Sequence, residues 1–373
     1  MLAGDWVPAD THQFDLGALP RVPSQHAVVS DVRARPRRGT ELDVDAGGVN
    51  QHNYLTHFDN RFWAMWSDGP GIEDRAGQRV KYATSRNGIE WTEPRYLTPA
   101  APGSGPDSEF YGQRTDQGLR YISRGFWQRD EDLLALASLD EAAGFFGPSL
   151  TLHAFRWVGS HERWEPAGIV YRDAINNFPP EQLPGGQWMM SRRPHNYRDT
   201  GVQFLVGGVE SIDAWASVPV LGSSTELSAE EPHWWALPGG DLVALFRDGR
   251  RSGYLYRSFS RDEGRTWSLP VQTNFPDATA KFSSVRLADG RYLLVSNPNP
   301  RKRDPLALSI SNDGLVFHAM AHLVGGRWVD YPHVIEHEDH LLIAFAGGKQ
   351  SVEVLKIKTA DLDGLRNAPT SHG

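Results

Sequence analysis

SRDEGRTW, residues 260–267, places Ser260, Asp262, Gly264, Thr266 and Trp267 in one octapeptide. The spacing predicts a self-capping turn between two strands. An Asp side chain accepts hydrogen bonds from backbone N–H groups just downstream, Gly supplies the positive φ of a tight turn, and the aromatic ring folds back beneath it. Two shorter stretches repeat the device, SRNGIEW at 85–91 and SNDGLVF at 311–317, each after a short strand-like run (RVKYAT, PLALSI). A turn used three times at wide separation points to a repeated β unit rather than to a catalytic site.

A second repeat runs through the same region. Six times, apolar runs flank a polar or Gly-containing turn, as in QHNYLTHFDNRFWAMW, EPHWWALPGGDLVALFR and FSSVRLADGRYLLVSN. The turns centre on Asn60, Gly118, Gly186, Gly240, Gly290 and His340, 50 to 68 residues apart. Four strands in a unit of this length match a propeller blade. The expected fold is all-β, a six-bladed β-propeller with four-stranded antiparallel blades over residues 49–358. Residues 1–48 are expected to close or cap the ring, and 359–373 to form a tail.

Composition narrows the function. Of 373 residues, 39% are hydrophobic, enough for a large core, and the net charge of -8 argues against general nucleic-acid binding. The basic cluster Arg33–Arg38 lies among acidic residues and reads as a solvated loop. The absence of Cys excludes disulfides, thiolate metal sites and cysteine nucleophiles. No HxxxH pattern or calcium-loop spacing stands out, so neither metal nor cofactor is expected. No apolar run reaches membrane-spanning length, so no membrane insertion is expected, and MLAGDWVPADTHQFD lacks the basic and apolar regions of a signal peptide. Compartment and oligomeric state stay open.

In a propeller the innermost strand of each blade lines the axial channel. That places Gln51, His52, Asn53, Glu109, Tyr111, Asn177, Glu231, His233, Lys281, Tyr331 and His333 at the channel. The return strands end in Asp68, Arg124, Arg192 or Arg193, Arg247 and Asn297. Carboxylates, arginines and tyrosines converging on one funnel favour glycosidic chemistry on a polar, anionic ligand.

At this point the chain resembles the sialidase (neuraminidase) superfamily, whose members carry such Asp boxes on a six-bladed propeller. SRDEGRTW matches the box at every defining position, and EEPHWWALPGGDLVALFRD resembles the family stretch in which a glutamate opens one strand and an arginine ends the next. The resemblance implies Tyr331, in VDYPH, as nucleophile, Glu231 as its base, and Asp74, in GIED beside Glu73, as acid/base. It implies Arg247 and Arg303 (or Arg301) as substrate-carboxylate ligands. A neutral phenol avoids repulsion from an anionic substrate but needs a neighbouring base. The family's first arginine is missing, because VNQHNYL stands where an Arg-Ile-Pro stretch opens blade one. Arg124 or Arg192 is a candidate replacement, and His52 and His333 are further channel candidates for substrate binding. The leading function is therefore exo-hydrolysis of a terminal, acidic sugar, not necessarily sialic acid. The alternatives are a polysaccharide lyase built on His52, His195, His333, Tyr111 and Arg124, and a non-catalytic carbohydrate-binding propeller.

Overall fold

The computed structural model describes residues 14–33, 48–223 and 227–365. Most of the basic cluster, the first thirteen residues and the end of the expected tail lie outside the described residues. Six four-stranded antiparallel sheets follow one another along the chain in a propeller arrangement. Their innermost strands are Val49–Phe58, Thr115–Arg129, Glu181–Gln182, Ala229–Ala236, Ser283–Arg286 and Val329–His337. The sixth sheet takes its outermost strand, Gln25–Asp31, from the start of the chain, paired antiparallel with Ser351–Lys358. Among the described residues, no helix is long and apolar enough to cross a membrane.

Each blade packs a face against each neighbour, so its middle strands are covered on both sides. The strand Arg61–Gly69 is buried from Phe62 onward. That explains the unbroken run FWAMW, where a half-exposed strand would alternate. The apolar clusters correspondingly span blades: Leu55, Phe62 and Trp66 of the first pack with Leu342, Ala344 and Val354 of the sixth.

The octapeptide 260–267 is a self-capped hairpin turn between the third and fourth strands of its blade. Ser260 Oγ accepts the Gly264 N–H (2.9 Å), Asp262 accepts the Thr266 N–H (2.8 Å) and hydroxyl (2.6 Å), and Trp267 Nε1 donates to the Gly264 carbonyl (3.1 Å). Gly264 sits at φ +81°, and a Cβ there would meet Met189 Sδ at 2.6 Å, so the position requires glycine. Trp267 stacks on Phe204 of the preceding blade. Strand register shows which end of the blade this is. Leu242 faces Ser260, whereas Arg247, at the other end of the same strand, faces Glu230.

The second blade corrects the sequence reading. Thr115–Arg129 is one continuous innermost strand, and its hairpin turn falls at Asp130, not at Gly118. TDQG reads as a turn but forms a register irregularity between Thr115 and Leu119. A Cβ on Gly118 would meet Ala76 Cβ at 2.7 Å, so this glycine serves close packing rather than chain reversal. Arg124 therefore belongs to the inner strand, not to the end of a return strand. Glu109 and Tyr111 lie in the preceding turns.

Candidate active site

One backbone device recurs where three innermost strands begin. Register shifts fall between Gln51 and Tyr54, Glu230 and His233, and Asp330 and His333. At each, a non-glycine residue has left-handed φ: His52 at +56°, Glu231 at +51° and Tyr331 at +53°. Such bulges re-aim a side chain that regular pairing would bury in the sheet. All three residues line one cavity of ≈ 890 Å³ at the mouth of the ring, together with Glu73, Asp74, Arg124, Arg193, Arg247 and Arg303. Left-handed φ costs strain in a non-glycine residue, and its occurrence at the same bulge in three blades singles out this cavity as the candidate site.

On one wall, two arginines and two glutamates close a quartet. Arg193 reaches Glu230 (3.4 Å) and Glu231 (3.5 Å), and Arg247 reaches Glu231 (3.1 Å) and Glu230 (3.7 Å). Asn177 also donates to Glu231, at 3.3 Å. Burial alone would raise the Glu231 carboxyl, but Arg247 and Arg193 outweigh it and hold the group at about 2. Glu231 is thus the ionised partner of the arginines at neutral pH.

Opposite stands Tyr331. Its hydroxyl donates to Glu73 Oε1 at 3.4 Å, and Glu73 also pairs with Lys349. Burial, reinforced by Glu73 and Glu231, pushes the phenol well above its ordinary range. Burial opposes ionisation of Glu73, but Lys349 prevails and lowers its pKa. Asp74, the next residue, pairs with Arg120, which also reaches buried Asp140 at 3.3 Å. Burial raises the Asp74 carboxyl despite Arg120. The His52 ring meets the Tyr331 ring edge-on at 4.6 Å, and its Nδ1 lies 3.0 Å from Ser67 Oγ. Burial drives the His52 pKa far below the ordinary imidazole value, leaving the ring neutral at pH 7.

The structure brings Tyr331, Glu231, Asp74, Arg247, Arg303, His52 and Arg124 to this cavity, with His195 at its lining, and leaves Arg192, His333 and Tyr111 outside. Arg192 turns away: its Nε donates to the Asp173 carbonyl (2.9 Å), and its guanidinium lies over Tyr171. The cavity receives Arg193 instead. His333 is a staple between blades, its Nδ1 accepting the Leu55 N–H at 3.1 Å while its ring packs on Tyr54. His233 does the same between its blade and the next, its Nδ1 accepting the Ser284 N–H at 3.1 Å. The Pro-His dipeptides at 232–233 and 332–333 thus stitch neighbouring blades. Arg303 lines the cavity but is held by Asp330 (2.7 Å) and donates to the Thr279 carbonyl (2.8 Å). Sequence reasoning did not single out Glu230, Lys349 or Arg120, nor the rim aromatics Phe145, Phe146 and Tyr197. Among the described residues, no group of three or more His, Cys, Asp or Glu is arranged to hold a metal ion.

Comparison with known proteins bears on this geometry. Residues 171–343 match a family model described as a BNR repeat-like domain. No curated protein matches the chain. Among solved structures, a sialidase is 18% identical, with a TM-score of 0.62 over 91% of this chain and 33% of its own, so the present chain spans about a third of that protein. A protein of unknown function from Dyadobacter fermentans DSM 18053 is 15% identical, with a TM-score of 0.68 over 91% of this chain and 100% of its own. The intramolecular trans-sialidase from Ruminococcus gnavus, solved with oseltamivir carboxylate, is 12% identical, with a TM-score of 0.65 over 91% of this chain and 98% of its own. At these identities the likeness is one of fold. Residues 171–343 thus match a BNR repeat-like domain, set within a six-bladed propeller whose fold is similar to that of solved sialidases.

Proposed function

We propose that the protein is a retaining exo-glycoside hydrolase that removes a terminal, acidic sugar, with Tyr331 as nucleophile. The observation that carries this reading is the Tyr331 hydroxyl, projected by a strained bulge into a polar cavity, 3.4 Å from one carboxylate and with a second in the adjacent residue. Tyr331 Oη attacks the anomeric carbon as its proton passes to Glu73 Oε1. Asp74, whose raised pKa favours the protonated form, gives its proton to the departing glycosidic oxygen. The glycosyl–tyrosine bond is then broken by water, which loses a proton to Asp74, while Glu73 returns its proton to the phenolate. The family resemblance would give the Tyr331 proton to Glu231. The geometry favours Glu73, because the oxygens of Glu231 are engaged by Asn177, Arg193 and Arg247.

The test is a screen of aryl glycosides and uronic-acid oligosaccharides with product analysis by NMR. The expected result is hydrolysis with retention at the anomeric centre. Tyr331→Phe abolishes it, and Glu73→Gln lowers kcat by about 10²–10⁴-fold, the range for loss of a positioned proton acceptor. Full activity in either variant removes the mechanism. One observation favours a second reading, uronate elimination: neutral His52 lies against Tyr331 as a base beside an acid. Elimination creates a C=C bond that absorbs near the ultraviolet edge, so the product spectrum separates it from hydrolysis. Glycan binding with no product of either kind would leave a carbohydrate-binding propeller.

A further inference from the structure

Arg124 is the anomaly in the cavity's charge balance. It lines the cavity although only 1% exposed. Its Nε donates to Ser138 Oγ at 2.9 Å, and its guanidinium reaches the Tyr54 hydroxyl, whose own proton goes to the Asn177 carbonyl at 2.7 Å. Both partners are neutral, and among the described residues Arg124 has no carboxylate partner. The other buried guanidiniums of the wall are compensated: Arg193 and Arg247 by Glu230 and Glu231, Arg303 by Asp330. Burial, with Arg193 and Arg120 nearby, brings the Arg124 pKa down to about 10, which still leaves it charged at neutral pH. A buried charge without a counterion is destabilising, and a fold that carries one at the floor of a cavity is poised for an anion that completes it.

We propose that Arg124 binds the carboxylate of an acidic sugar in this cavity, in place of the Arg247 and Arg303 pair to which the family resemblance points. A carboxylate approaching Arg247 meets Glu230 and Glu231, and one approaching Arg303 meets Asp330, so both directions are repulsive. At Arg124 the same group finds a guanidinium whose partners in the protein, Ser138 and Tyr54, are neutral, so no carboxylate competes for it. Arg124 and Tyr331 line the same cavity, so an anion held at Arg124 shares it with the nucleophile. The ligand class is a carboxylated sugar such as a hexuronic acid. The inference rests on the proposed function only in taking the cavity as a sugar site.

The test is binding without turnover: ligand-observed NMR titration of the full chain with D-glucuronate, D-glucose and glucose 6-sulfate. Native protein is expected to prefer glucuronate over both. Arg124→Met is expected to weaken glucuronate about ten- to hundred-fold, the worth of a hydrogen bond to a charged group, with glucose unchanged, whereas Arg303→Met shifts glucuronate less than about threefold. The melting temperature of Arg124→Met is expected to match or exceed the native one, because an uncompensated charge has gone. If Arg124→Met does not fold, Arg124→Lys keeps the charge and reads loss of the planar fork by the same titration. Undiminished glucuronate binding in the Arg124 variant overturns the proposal, as does an equal loss in Arg303→Met, a native preference for the sulfate, or absence of glucuronate binding. Failure of the hydrolysis screen with intact, Arg124-dependent binding refutes the catalytic reading alone.

Discussion

Replacing Glu231 by Gln asks whether this carboxylate belongs first to the arginines. Its side chain is 5% exposed, between Arg193 at 7% and Arg247 at 20%. The substitution leaves two guanidiniums sharing Glu230, and one face of the new amide presents donors to donors. Removing one partner of a buried ion pair costs about 3–5 kcal/mol. Unfolding entropy is about 2.1 cal/mol/K per residue near 60 °C, so a chain of this size is expected to lose about 4–6 °C in Tm at pH 7. The sign with pH follows from the depressed pKa. The Glu231 contribution is complete above its ordinary 4.5 and is lost as pH falls through about 2, so the Tm gap between native and variant narrows in acid. Far-UV circular dichroism melts at pH 7 and pH 3 measure both quantities. Arg247→Met added to Glu231→Gln rebalances the charge and is expected to recover part of the loss. An unchanged Tm at pH 7, or a gap that widens in acid, refutes the quartet as a stabilising unit.

Asp262→Ala removes the acceptor for the Thr266 N–H and hydroxyl; a cost of about 1–2 kcal/mol is expected, read as a Tm drop of about 1–3 °C, with sugar binding unchanged because the turn lies at the far end of its blade. Weaker binding at unaltered Tm contradicts that placement. Lys281→Met is expected to stabilise the protein at pH 7. The Lys281 ammonium is buried with no hydrogen-bond partner, against the rings of Tyr54 (4.0 Å) and Phe178 (4.8 Å), and burial lowers its pKa from 10.5 to about 7. Between those values the unfolded chain binds more protons, so native stability gains as pH rises and the variant's advantage shrinks toward pH 10.5. Melts at pH 7 and pH 10 check this, and a lower Tm for the variant at pH 7 refutes it.

Much of the fold was legible because its signals are local. The Ser-x-Asp-x-Gly-x-x-Trp geometry closes within eight residues, and strands covered on both faces write themselves as apolar runs. The second blade was misread because TDQG carries turn chemistry while the hydrogen-bond ladder continues around it; only the packing of Gly118 on Ala76 distinguishes the two. Arg192 and Arg193 illustrate a parity problem. Successive strand residues point to opposite faces, but Met189 and Met190 are both buried in separate apolar clusters, so hydrophobic alternation gives no phase by which to choose between the arginines. Glu73 and Asp74 were both placed on the acidic loop with Asp74 preferred, and no role was given to Glu73, because its contact with Tyr331 spans 258 positions and leaves no local trace. His333 shows the converse. Its channel strand was correctly identified, while the Leu55 amide that occupies its ring nitrogen belongs to the neighbouring blade.

The closing strand has a consequence for biogenesis. Gln25 pairs with Lys356, and Asp31 with Ser351, so the strand Gln25–Asp31 leaves the ribosome long before its partner strand Ser351–Lys358. At about 5–20 residues per second, it waits roughly 15–65 s with its backbone donors and acceptors unsatisfied by the sheet. Until then the sixth blade does not exist and the fifth presents an open apolar flank. A nascent chain of this architecture is thus exposed to chaperone capture and aggregation until Ser351–Lys358 has emerged, and a stall between the fifth blade and that strand is more damaging than one earlier in the ring.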